Sequence, residues 1–205
     1  MVGLTYSEIL KLKNSCMQCK RVLFLFIVCF SLYGMAQEND TSNAFWNTLQ
    51  SHCGMAYQGM LEIPEEDEAF GGKKLVMHLR SCSENEIKIP FYVGDDKSRT
   101  WILTLNEGII SLKHDHRHKD GTMDAVNLYG GTASNQGKAT IQFFPADPHT
   151  QALIPAAATN VWWITLDQTT FTYNLRRLGT DRVFKVVMDL TTPIETPEAP
   201  WGWED

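Results

Sequence analysis

The sequence offers little that would tie it to a nucleic acid or hold it in a bilayer. Lysine and arginine number 18 against 24 aspartates and glutamates, a formal net charge of −6. Proteins that grip phosphate backbones carry a basic stripe, because release of condensed counterions drives that association. No such stripe is present, so no nucleic-acid partner is expected. The uncharged apolar run from Val22 to Leu32 is far shorter than the ~20 residues that span a membrane as a helix. Catalytic signatures are missing as well. There is no G-x-S-x-G elbow and no G-x-G-x-x-G, and Thr132 to Ala139 (TASNQGKA) lacks the first glycine and the final hydroxyl of a phosphate-binding loop. The acidic run Glu65-Glu66-Asp67-Glu68 lacks the alternation and glycine of a calcium loop and reads as a solvated loop.

What is present begins with a leader. Lys20 and Arg21 precede the apolar run, and Gly34-Met35-Ala36 follows it with small residues at the two positions a signal peptidase reads. Charge, short apolar stretch and small-x-small exit together describe a removable secretory signal over residues 1–36. Met17 is the better-placed start. Cleavage would leave Gln37 first, in a pattern that resembles bacterial signal peptides. No cysteine stands at the exit, so no stable membrane anchor is expected after cleavage. The expected destination is the periplasm or the exterior of a bacterium. The first 36 residues hold four basic residues and one acidic residue, so the remainder carries 14 basic and 23 acidic side chains, a formal net charge of −9. Residues 37–192 suit a single domain with a full core, followed by a Pro-rich, acidic tail over 193–205. That tail is either loose or an extended wrap anchored by Trp201 and Trp203.

Three of the five cysteines fall in the leader, which leaves Cys53 and Cys82. Two cysteines in an oxidising compartment pair. Closing that loop would stabilise the fold by about 3–4 kcal/mol in the chain-entropy account. A redox role for the pair lacks the C-x-x-C spacing.

After a short helix at 43–51, capped by Asn43, the chain reads as strands. Candidates are 54–63, 73–80, 86–93, 99–105, 108–118, 123–129, 138–144, 161–167, 170–178 and 182–190. They are short, closely spaced and separated by Gly, Asp, Asn and Pro, a spacing that argues all-β architecture and not βαβ units. Asn106-Glu107-Gly108, Asp120-Gly121 and Gly179-Thr180-Asp181 mark hairpins. Consecutive strands joined by short turns predict an antiparallel up-and-down barrel of about 8–10 strands, which removes exposed edges and at this size holds one small ligand.

Alternation of side chains along a strand assigns an inside. Ile110, Leu112, His114, His116 and His118 share one face, with Ser111, Lys113, Asp115 and Arg117 on the other. Arg99 shares a face with Trp101, Leu103 and Leu105, and Arg177 ends the row Phe171, Tyr173, Leu175. Ile87, Ile89, Phe91 and Val93 make a plain core row. If Asp120-Gly121 is the centre of a two-residue turn, Arg117 faces Asp124, His116 faces Ala125 and His114 faces Asn127, leaving space beside the imidazoles. Asn127 and Tyr129 then join His114, His116, His118, Arg99, Arg177 and Trp101 as the expected ligand-binding lining. Buried arginine demands a partner. Arg177 either stacks on Trp46 or a tyrosine to close a barrel end, or it joins Arg99 in pairing with a ligand carboxylate.

The His-x-His-x-His run admits three readings, since imidazole packs, binds organic ligands and ligates metals. Alternate strand residues lie about 6.6–6.8 Å apart, so His114 and His116 could converge on a divalent metal with a ligand from His78, His52 or Asp124. Contact with an organic ligand, haem included, is the second reading, and hydrogen-bonded packing is the third. In an apolar setting beside Arg99 the rings are expected to be neutral near pH 7.

The short helix with Trp46, the meander and the final hairpin bearing Arg176 and Arg177 resemble the lipocalin-like, or calycin, group. The Gly-x-Trp signature of true lipocalins is absent, its nearest counterpart being Cys53-Gly54-Met55-Ala56-Tyr57. The stretch Lys113 to Asp124 (KHDHRHKDGTMD), with Tyr129-Gly130-Gly131 after it, is similar to an uncharacterised family of exported bacterial proteins. The resemblance implies a carrier or sensor for a small, partly apolar ligand. Two further readings stay open: a metalloprotein or metal-dependent enzyme using the histidines, and a structural or interaction module with a filled barrel. The ligand, any cofactor and the oligomeric state are not legible.

Overall fold

Alternating apolar residues need a second surface to bury against, and here one sheet supplies both sides by curling on itself. A computed structural model of the protein describes residue 7, residues 40–64 and residues 67–204. The secretory signal, the start at Met17 and the cleavage after Ala36 lie outside the described residues. Helix α1 (Thr41–Gln50) leads into strands β1 (Ala56–Ile63), β2 (Leu75–His78), β3 (Ser81–Cys82), β4 (Glu86–Val93), β5 (Asp96–Asn106), β6 (Ile109–His116), β7 (Tyr129–Thr132) and β8 (Ile141–Pro145). A short helix α2 (Pro148–Leu153) and a 3-10 turn (Pro155–Ala157) precede β9 (Asn160–Leu166), β10 (Thr170–Arg177) and β11 (Val183–Ile194).

The sheet order is β7-β6-β5-β4-β2-β1-β11-β10-β9-β8, every pairing antiparallel, with β3 also on β4. Since β2 and β3 pair with successive parts of β4, they act as one strand interrupted at Leu79–Arg80. The chain is therefore a nearly closed up-and-down barrel. The seam between β7 and β8 is held by the Gly131–Ala146 bridge and by the Asp147 N–H, which donates to the Gly130 carbonyl at 3.1 Å. The buried Thr150 hydroxyl adds to it, accepting from the Gly130 N–H at 2.6 Å and donating to the Gly130 carbonyl at 2.7 Å. A Cβ on Gly131 would sit 1.9 Å from the Pro145 carbonyl oxygen, so only glycine lets the strands close here.

The inward rows follow parity. Ile87, Ile89, Phe91 and Val93 from β4, Trp101 and Leu103 from β5, and Ile110 and Leu112 from β6 are all buried in one core with Phe171 and Tyr173 from β10. The β5–β6 hairpin turns at Glu107 and Gly108, both at positive φ, as a two-residue turn requires.

Helix α1 plugs one end with Phe45, Trp46 and Leu49, all buried. Its N-cap is Asp40, whose carboxylate accepts from the Asn43 N–H, so the cap lies three residues before the expected Asn43. The Trp46 indole N–H donates to the Glu84 carbonyl at 3.0 Å, and Gln50 donates to the Ser83 carbonyl at 2.7 Å. The expected Cys53–Cys82 disulfide is present and ties the exit of α1 to β3.

On the outside, the C-terminal segment lies along β2, β4 and β5. The Tyr92 hydroxyl donates to the Glu198 carbonyl, Lys97 pairs with Glu198 at 2.6 Å, and the Trp201 N–H donates to the Lys97 carbonyl. Lys88 lies over the Trp203 ring. The segment wraps, and β11 itself continues to Ile194 and pairs with Ala56.

One expected strand is displaced. Residues 123–128 run as an irregular loop, with Met123 alone bridging to Arg117. The strand is instead Tyr129–Thr132, through two glycines. The turn after β6 is also of another kind: the His118 N–H donates to the Thr122 carbonyl and the Gly121 N–H to the His118 carbonyl, so Arg117 opposes Met123 instead of Asp124. Arg117 pairs with Asp115 at 2.8 Å, and Asn127 donates to the other Asp115 oxygen at 3.1 Å. This is why Asp115 is buried although its strand face points outward.

Candidate functional site

At the end opposite α1 the inward rows leave a cavity of about 300 Å³. Its deep walls are aromatic: Trp101, Trp162, Tyr173, Phe91 and Phe184 line it and are buried. Trp101 lies flat between Phe91, at 4.6 Å, and Tyr173, at 4.4 Å between ring centroids. Such stacks fix the wall beyond what area burial alone would do.

His114 sits in this wall, 3% exposed. Its Nδ1–H donates to the Tyr129 carbonyl at 3.0 Å, so its Nε2 accepts from the Tyr173 hydroxyl at 2.7 Å. Both ring nitrogens are occupied and the neutral tautomer is fixed. Burial lowers its pKa to about 3; the Tyr129 carbonyl opposes that shift, and the charges of His116 and Lys113 add to it. Burial likewise pushes the Tyr129 hydroxyl up to about 12 and the Tyr173 hydroxyl well above its usual value, so both remain protonated donors.

His116 is nearer the surface and shares a hydrogen bond with the Tyr129 hydroxyl at 3.1 Å. Its pKa is lowered by burial and then by Arg99, against the pull of Asp124, Asp96 and Asp115. The partner of His114 across the ladder is Tyr129, not Asn127, and the two rings stack at 4.6 Å. The space expected beside His114 is therefore filled by an aromatic ring.

Three arginines line the cavity toward solvent. Arg99 is paired with Asp96 and lies over the Phe70 ring. Arg177 donates through Nε to the Asn160 Oδ1 at 2.9 Å. Arg182 is exposed at the rim. Among the described residues, the single carboxylate in the lining is that of Asp124, which accepts from the Val126 N–H.

The structure thus brings together His114, His116, Arg99, Arg177, Trp101 and Tyr129 around one cavity. Two expected members fall outside it. His118 lies beyond the end of β6 and is exposed, because the strand stops at His116. The Asn127 side chain serves the backbone, accepting from the His116 N–H at 2.8 Å while donating to Asp115. The stacking of Arg177 on Trp46 does not occur either. Arg177 ends β10 beside Asn160, whereas Trp46 belongs to the plug at the other end. Among the described residues, no group of three His, Cys, Asp or Glu is placed to share a metal ion.

Parity alone could have found Trp162, since Trp162, Ile164 and Leu166 form the buried alternate row of β9. Phe70 and Arg182 lie in connections, where no periodicity points to an inside. Comparison with protein-family models, curated proteins and solved structures finds no match to this chain.

Proposed function

We propose that this chain is an exported, lipocalin-like barrel that binds one small, partly apolar ligand and performs no chemistry on it. The observation that carries the reading is the cavity at the unplugged end, aromatic within and polar at its opening. Ligand sites are typically concave, mostly apolar and supplied with a few fixed polar groups. About 300 Å³ lies at the lower end of such sites. A filled structural module would have closed this space. A metal centre draws no support from His114, whose Nε2 lone pair already accepts from Tyr173.

The test is native mass spectrometry of protein recovered from its own host, joined to titration with N-phenyl-1-naphthylamine followed by quenching of tryptophan emission. A bound organic mass released on denaturation, or saturable binding of one probe per chain, supports the reading. Ligand-free protein that also fails to bind the probe overturns it. N-terminal sequencing of exported material tests the compartment, with Gln37 expected as the first residue.

A further inference from the structure

We propose that the ligand of this cavity is an amphipathic anion, with its apolar body against Trp101 and Trp162 and its negatively charged headgroup at the mouth between Arg177 and Arg182. The proposal rests on the ligand-binding reading above and gives it a chemical class and an orientation.

The argument begins with which cations are already neutralised. Arg99 has Asp96 as its ion-pair partner. Arg177 has only the neutral carbonyl oxygen of Asn160, on Nε, so its two terminal nitrogens have no carboxylate among the described residues. The Arg182 guanidinium has no side-chain partner among the described residues, and only its backbone bonds, to Thr180 and to the Arg177 N–H. Arg177 and Arg182 stand next to each other across the end of the β10–β11 hairpin, where the Arg177 N–H donates to the Arg182 carbonyl at 3.0 Å. Two arginines at one mouth repel each other, an anion between them relieves that repulsion, and planar guanidinium forks match carboxylates and related oxyanions.

The depth of each group then sets the orientation. Trp101, Trp162, Tyr173 and His114 are buried, Arg177 and His116 are half-buried, and Arg182 is exposed. Among the described residues no carboxylate lies deep in the wall, and Asp124 is the one acid in the lining. A charged group driven inward would lose its hydration against aromatic faces. One left at the mouth keeps contact with water and gains the arginines. The setting is also selective. Residues 37–205 carry a formal charge of −9, so Arg177 and Arg182, without carboxylate partners among the described residues, are a local exception to an acidic chain. A cationic ligand would meet Arg177 and Arg182, neither of them paired with a carboxylate among the described residues.

The experiment uses two probes with one ring skeleton: 8-anilinonaphthalene-1-sulfonate, an anion, and N-phenyl-1-naphthylamine, its neutral counterpart. Full-length processed protein is titrated with each, with energy transfer from the cavity tryptophans as the readout. The sulfonate is expected to bind at least tenfold more tightly, and added salt should weaken it alone. Arg177→Gln with Arg182→Gln should abolish the preference while changing the neutral probe less than threefold. Arg182→Gln alone, at an exposed position that folding does not depend on, should remove part of it. Asp124→Asn, which keeps an acceptor for the Val126 N–H, should tighten the sulfonate. Equal affinities in the unaltered protein, or a preference retained by the double variant, overturns the anionic headgroup and leaves the binding reading intact. Failure of both probes to bind counts against the binding reading itself.

Discussion

A buried, neutral histidine with both nitrogens engaged makes stability depend on pH in a definite direction. The folded-state pKa of His114 is lowered to about 3, against about 6.5 when unfolded. Between those values the unfolded chain takes up a proton that the folded chain does not. Stability contributed by the neutral ring is therefore complete above pH 6.5 and falls as pH drops through that window. The full difference approaches roughly 4 kcal/mol near pH 3, taken as an order of magnitude. Denaturant unfolding from pH 7 to pH 4 should show a shallower loss for His114→Gln than for the unaltered protein. Equal slopes would mean that His114 does not stay neutral. The substitution should also leave binding of the neutral probe within about threefold if the ring acts through Tyr173 and Tyr129, because its nitrogens face those residues. The same ring shows what could be read in advance. Its burial followed from parity with Ile110 and Leu112. Its partner did not, because two-residue pairing around Asp120-Gly121 placed Asn127 opposite it, whereas the irregular 124–128 segment breaks that register and brings Tyr129 there.

At the scale of elements, the barrel depends on two closures that act differently. The α1 plug is covalently pinned, since Cys53 and Cys82 join its exit to β3 across 29 residues. Reduction should cost about 3 kcal/mol by freeing the unfolded chain, seen as a lower unfolding midpoint with little change in far-UV circular dichroism. No loss on reduction would mean that α1 is held by packing alone. The β7–β8 seam has no covalent tie and relies on contact between backbones. Gly131→Ala should therefore destabilise by about 3 kcal/mol, since the added methyl meets the Pro145 carbonyl and the strands must part. An unaltered melting temperature would show that the seam is not tight. The rows of β4, β5, β6 and β10 were legible because each alternates over several residues with one apolar face. Strand β7 was not, because the expected strand ended at Tyr129, short of Gly130 and Gly131, which serve as strand where no side chain fits. Helix α2 carried a sequence signal in Asp147 and Pro148, the N-cap and first-turn proline.

For the whole molecule, the two ends of the barrel are built for opposite purposes, and this separates ligand protection from general stabilisation. One end is sealed by α1, the disulfide and the bonds of Trp46 and Gln50 to the 83–84 turn. The other is bounded by the 117–128 loop, the α2 region and the 178–182 turn, connections with fewer ladder bonds than the strands they join. Connections of this kind open locally at lower cost than core strands, and a bound ligand suppresses the openings that would release it. Hydrogen exchange read by mass spectrometry, with and without saturating 8-anilinonaphthalene-1-sulfonate, should slow in peptides covering 117–128 and 176–184. Peptides covering 41–53 should be unchanged, because α1 makes no part of the cavity wall. At a hundredfold excess over Kd the ligand should add about 2.7 kcal/mol of stability, or a rise in Tm of several degrees for a domain of this size. A rise in Tm with protection centred on 41–53 would place the ligand at the plugged end and reverse the assignment of mouth and floor.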